Sequence, residues 1–154
     1  MGMKTLKEIL LEKLKIESHT KIHQYNYFPK TKKELKELIG KLIKERGNNA
    51  NLNDIDTFAI TDMSYLFECS KFNGDISEWD VGNVEDMKCM FSHSKFNRDI
   101  SRWDVHNVED MRCMFVLSKF NGNIDNWDVS NVKYMEKMFN NCPLQNNPPK
   151  WYHK

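Results

Sequence analysis

From Asn48 onward, apolar residues return to the same places every 24 residues. Phe72, Phe96 and Phe120 are in register, as are Ile76, Ile100 and Ile124, then Trp79, Trp103 and Trp127, then Val81, Val105 and Val129. Val84, Val108 and Val132 follow, then Met87, Met111 and Met135, Met90, Met114 and Met138, and each unit closes on Phe91, Phe115 or Phe139. A period of this length predicts a solenoid whose units bury their apolar sides only against each other. Within a unit, Trp79, Asp80 and Val81 alternate inward, outward, inward, as a very short strand does. Val84, Met87 and Phe91 recur at i, i+3 and i+7, with Asn83 placed to cap a helical turn. The expected rung is strand, turn, short helix and return, stacked at about 4.8 Å so that identical residues form Trp, Phe and Met columns.

The register outlasts the consensus at both ends. Leu52, Ile55, Ile60, Met63, Leu66 and Phe67 occupy the Ile, Trp, Val, Met, Met and Phe places of a degenerate first unit. Leu144 falls on the first Phe place and Trp151 on the Trp place, but Pro143, Pro148 and Pro149 exclude a central strand or helix interior there. Residues 31–47 read as a helix: Thr31 and Glu34 form a capping box, Leu35, Leu38, Ile39, Leu42 and Ile43 make an apolar stripe, and Gly47 suits the C-terminal cap. Its expected task is to cover the open first rung, and a second amphipathic helix is expected near residues 5–16. The predicted organisation is a basic helical cap over residues 1–47, a solenoid of one degenerate and three full units over 48–142, and a C-terminal cap over 143–154. The fold class is α/β, a leucine-rich-repeat-like solenoid of short strands and short helices.

The spacing of Ile76, Trp79 and Val81 is that of a leucine-rich repeat. The unit Phe72-Asn73-Gly74-Asp75-Ile76-Ser77-Glu78-Trp79-Asp80-Val81 through Phe91, repeated from Phe96 and Phe120, resembles the BspA-like class of leucine-rich repeats of bacterial surface and lipoprotein-like sequences. The resemblance covers roughly residues 51–141 and implies a solenoid fold with an interaction role.

Composition adds bounds. The 154 residues make about one domain, and 40% hydrophobic content is enough for a packed core. No apolar run approaches the ~18 residues that span a bilayer, and the charged start lacks the apolar stretch of a signal peptide. A cytoplasmic protein without a membrane partner is expected, its four cysteines free thiols. Net charge is +1, but residues 1–47 hold twelve Lys/Arg against six Asp/Glu, leaving eleven against sixteen beyond. A basic head therefore precedes an acidic body. The head's lysines alternate with glutamates as on a solvated helix face, so nucleic acid is not the expected partner.

Several columns carry candidate chemistry. Asp56, Asp80, Asp104 and Asp128 would lie about 5 Å apart if rungs stack at strand spacing, a separation that suits a retaining glycosidase pair. The periodicity itself produces this column, however, whereas a catalytic pair needs carboxylates in contrasting environments, and an aspartate beside a turn commonly bonds a nearby backbone N–H. Cys69, Cys89, His93 and Cys113 could converge on the outer face, but no CxxC spacing supports a zinc site, and neither metal nor cofactor is expected. Asn73, Asn97 and Asn121 predict a hydrogen-bond ladder. The chain is therefore read as a non-enzymatic protein–protein interaction module, with specificity at outward positions where units differ. These are Glu78, Arg102 and Asn126, and Gly82, His106 and Ser130, with Asp80, Asp104 and Asp128 between them. Such an acidic face calls for a protein partner with a basic surface, as for a small intracellular inhibitor or adaptor, for example a phage-type antagonist of a nucleic-acid-handling immune protein. The alternatives are an adhesin-like surface or host-interaction protein, and a carbohydrate-active enzyme using the Asp column.

Overall fold

The computed structural model describes residues 24–153; the helix expected near residues 5–16 lies outside them. One α-helix, α1 (Lys32–Arg46), precedes a stack of irregular rungs, and a 3-10 turn, Pro143–Gln145, follows it. The α1 start is as the sequence predicts, because the Thr31 hydroxyl accepts the Glu34 N–H. The Glu34 carboxylate reaches back to the Lys30 N–H at 2.7 Å instead of completing the box on Thr31. Gly47 ends the helix at φ +88°, with its N–H on the Ile43 carbonyl.

The short rung helix predicted after Asn83 does not form. In its place, alternate N–H groups leave the rung: those of Met63, Tyr65, Phe67 and Cys69 donate to the carbonyls of Asp86, Lys88, Met90 and Ser92, one rung on, at 2.8–2.9 Å. The intervening N–H groups of Leu66, Glu68 and Ser70 fold back three residues to Met63, Tyr65 and Phe67. An α-helix would commit every donor within its own segment. Stacking claims half of them, and the result is a run of overlapping turns with the same i, i+3, i+7 apolar side. Two residues per run sit at positive φ: Tyr65 and Cys69, Cys89 and His93, Cys113 and Leu117, Lys137 and Asn141.

The predicted strand also moves. Trp79, Asp80 and Val81 alternate buried, exposed, buried as expected, but carry no bridge. The parallel bridges run Asp62 to Asp86 to Asp110 to Tyr134, with single ones at Asn51–Asp75 and Tyr27–Ile55. Asn83 caps no helix; its amide crosses to the Phe58 carbonyl of the rung before, as Asn107 does to Gly82 and Asn131 to His106.

The polar consensus explains the corners. In one unit, Asp75, Asp80, Asp86 and Ser94 each accept the N–H two residues on, from Ser77, Gly82, Lys88 and Phe96. Short oxygen-bearing side chains make such local bonds well, so four of them bend the chain once around. The Asn ladder is present: Asn73 and Asn97 accept the N–H groups of Asn97 and Asn121 at 2.9 Å.

Inside, Phe67, Phe91, Phe115 and Phe139 stack at centroid spacings of 5.6, 5.6 and 5.9 Å. Phe72, Phe96 and Phe120 form a second column at 6.4 and 6.3 Å. Each indole leans on the phenylalanine twelve residues back, as Trp103 does on Phe91, and Trp127 also stacks on Trp151 at 6.5 Å. The indole N–H groups of Trp79, Trp103, Trp127 and Trp151 donate to the carbonyls of Leu52, Ile76, Ile100 and Ile124, so every polar tip is satisfied within the core. Leu35, Ile39 and Leu42 of α1 join this core at the first rung, and Leu144 joins it at the other end.

A left-handed backbone costs an L-residue about 1–2 kcal/mol, which glycine does not pay. Leu117 has φ +55° and its side chain is 49% exposed, so little packing offsets that strain. Leu117→Gly is expected to raise stability by up to about 1 kcal/mol, measured by urea denaturation.

Candidate functional site

The outward face that the sequence marked forms on one side of the solenoid. Asp80, Asp104 and Asp128 are exposed, as are Arg102, His106, Asn126 and Ser130; Glu78 and Gly82 are half-buried. Each aspartate spends one oxygen on its own corner: Asp56, Asp80, Asp104 and Asp128 accept the N–H groups of Phe58, Gly82, His106 and Ser130 through Oδ1. The bond ties each carboxylate to its own turn, while Asp80, Asp104 and Asp128 stay exposed. Asp104 also holds the His106 ring at 2.7 Å. Its hydrogen bond holds the Asp104 carboxyl below its ordinary pKa, and the Ser130 contacts do the same for Asp128. The two carboxylates are thus biased the same way.

Sequence reasoning missed the aromatic head of this face. Phe58 is 61% exposed and occupies the place of Gly82, His106 and Ser130 in the degenerate unit. Phe28 is 57% exposed and sits beside Asp56, because Tyr27 bridges to Ile55. Tyr25 packs edge-on against Phe28 at 6.4 Å, and its hydroxyl pKa is pushed up by burial, then by Asp56, Asp80 and Glu78. The register of Phe58 could have been read from the repeat. Phe28 could not, since it joins by a bridge outside the 24-residue period. A depression of about 350 Å³ beside this head is lined by Phe58, Ala59, Thr61, Asn83, Glu85 and Asn107.

Elsewhere, polar side chains tie the head to the first rung. Arg46 clasps Asp54 with two bonds of 3.0 Å, and Lys32 holds Asp62 at 3.1 Å while lying over the Tyr65 ring. Arg112 pairs with Asp110 and stacks on Tyr134. Cys89 and Cys113 adjoin on one column, with Cys69 and His93 on another; burial, then Cys113, pushes the Cys89 thiol up. Among the described residues, no group of three or more His, Cys, Asp or Glu is placed to hold a metal ion. None of the helices described is long and apolar enough to cross a membrane.

The corner aspartates make the fold acid-sensitive. Asp99, Asp104 and Asp128 are held below the ordinary carboxylate range by their i+2 partners, and Asp54 by Arg46. For Asp62, Asp75 and Asp110, burial pushes upward, but hydrogen bonds led by Ser64, Ser77 and Arg112 outweigh it. A carboxyl whose native pKa lies below its unfolded value stabilises the fold above the unfolded value of about 4, and that contribution is lost as pH falls through the native one. The melting temperature should therefore be level from about pH 5 to 7 and drop steeply below about pH 4, read by circular dichroism.

No curated protein and no solved structure matches the chain. Residues 33–151 match the family described as "Mycoplasma protein of unknown function, DUF285", which takes in most of α1, every rung and the Trp151 cap, and the chain belongs to that family.

Proposed function

We propose that the protein is a non-enzymatic interaction module whose aspartate column and aromatic head dock a basic surface of another protein. The observation that carries this reading is the pinning of Asp80, Asp104 and Asp128 by their own turns, which presents three exposed carboxylates without flexible side chains to order on binding. Exposed charge pairs contribute only about 0.2–1 kcal/mol each, so the column supplies orientation and encounter rate. The exposed Phe58 and Phe28 supply the anchor, since buried aromatics dominate interface energetics. Arg102 and His106 break the acidity in the middle and would set register against the partner. The resemblance to BspA-like leucine-rich repeats supports the same class of role, and an inhibitor or adaptor that occupies a phosphate-binding surface is the form of it we favour. Against hydrolysis, neither Asp104 nor Asp128 is raised toward the neutral carboxyl that a general acid needs.

The test exploits the turn. Asn keeps the Oδ1 acceptor and loses the charge, whereas Ala loses both. The triple variant Asp80→Asn, Asp104→Asn, Asp128→Asn should melt within a few degrees of the parent yet no longer retain basic proteins in affinity capture from cell extract. Asp104→Ala should cost about 1 kcal/mol of stability through loss of the turn bond. Capture unchanged in the Asn triple variant and in Phe58→Ala would remove this reading.

A further inference from the structure

Every rung but one is roofed in the same way. The carbonyls of Thr61, Glu85 and Glu109 receive N–H groups from the next rung, and the N–H groups of Met63, Met87 and Met111 donate to it. The series stops at Tyr134. Among the described residues, the Lys133 carbonyl and the N–H groups of Met135 and Lys137 have no partner. The Ser130 carbonyl likewise lacks the Asn amide that Phe58, Gly82 and His106 each receive. The side chains agree with the backbone. Val84, Val108, Met87 and Met111 are fully buried, whereas Val132 and Met135 are only half-buried. The C-terminal cap sets Trp151 on Trp127 and Tyr152 edge-on to Phe139 at 4.8 Å, within electrostatic reach of Glu136, and still leaves Val132 and Met135 half-buried.

This leaves half a rung whose donors, acceptors and apolar sockets are all set for one kind of occupant. We propose that the edge from Ser130 to Lys137 binds a segment of a partner polypeptide that carries Asn-Val-x-x-Met and adds to the solenoid as a further parallel half-rung. The occupant's chemistry is read from the interface it continues. In the rungs below, Asn83-Val84-Glu85-Asp86-Met87 and Asn107-Val108-Glu109-Asp110-Met111 fill the same sockets: the Asn bonds the carbonyl, Val and Met close the core, and the main chain completes the bridge. Addition of a strand to an exposed edge gives affinity through main-chain bonds and specificity through side-chain pockets. The edge adjoins the acidic face at Ser130, but it is recognised through main-chain groups and apolar sockets, so the proposal does not depend on the aspartate column.

The probe is a synthetic peptide with the sequence of residues 80–88, added to the full chain while amide hydrogen exchange is followed by NMR. In the free protein, Met135 and Lys137 should exchange at least 100-fold faster than Met111 and Cys113. Saturating peptide should slow Met135 and Lys137 at least tenfold, and a peptide with Asp in place of its Met should not. Met135→Glu should weaken binding at least tenfold with exchange at Met111 unchanged; if that variant unfolds, the altered peptide makes the same test on the parent chain. Slow exchange in the free protein, protection that grows with protein concentration and so marks a second copy, binding that leaves Met135 unprotected, or no binding at all would each overturn the proposal.

Discussion

Trp103→Ala is expected to destabilise the protein by about 3–5 kcal/mol, the usual cost of removing a large aromatic from a core. Trp103 is 3% exposed and leans on Phe91, and its N–H satisfies the Ile76 carbonyl at 3.1 Å. Trp103→Phe separates the contributions. It keeps most of the ring contact but leaves that carbonyl without its donor, for a loss of about 1–3 kcal/mol. The position in the stack matters as much as the chemistry. In a quasi-linear array each rung contacts only its neighbours, so a defect at Trp103 severs the array near its middle and leaves short fragments on either side. Trp151→Ala should cost less, because Trp151 is only half-buried and stands at the end of the stack. Urea denaturation of the three variants reads the order directly; a Trp151 loss equal to that of Trp103 would contradict it.

The second large effect falls on α1. Leu42 is fully buried against the first rung, and Leu42→Ala should cost about 2–5 kcal/mol. Here the damage should travel from one end. Loosening α1 uncovers Leu52 and Ile55, and the amides that tie the first rung to the second, Asn73 to the Asn48 carbonyl and Asp75 to Ala50, should exchange sooner than those of Met87 and Met111. Trp103→Ala should instead speed exchange around Met87 and Met111 themselves. The pair of variants therefore distinguishes fraying of a capped stack from its division, by exchange pattern even where the loss of stability is similar.

Much of this was legible in the chain. The 24-residue return of Phe, Ile, Trp, Val and Met marked the core positions, because a solenoid needs the same apolar side at every turn. Thr31, Glu34 and Gly47 announced α1, since helix ends are set by local bonds. The aspartates of the outward face were visible by alternation around Asp80. What periodicity could not supply was the destination of each backbone donor. Val84, Met87 and Phe91 fit a helical turn and a run of overlapping turns equally well, and only the neighbouring rung, by accepting the N–H groups of Met87, Cys89 and Phe91, selects the second. The same cause hid the left-handed residues. Tyr65, Cys89 and Leu117 are not residue types that announce positive φ, and they adopt it because stacking bonds on either side hold the turn.

The candidate surfaces divide along the same line. Residue order alone determined which side chains repeat, which face carries Asp80, Asp104 and Asp128, and that the units must stack to bury their aromatics. Tertiary structure decided that each of those carboxylates is pinned by its own turn, that Phe28 joins the acidic face from outside the repeat, and that, among the described residues, the N–H groups of Met135 and Lys137 keep no partner. The reason is physical: burial of apolar area follows composition and spacing, whereas a hydrogen bond between rungs exists only once two distant segments have been brought into register.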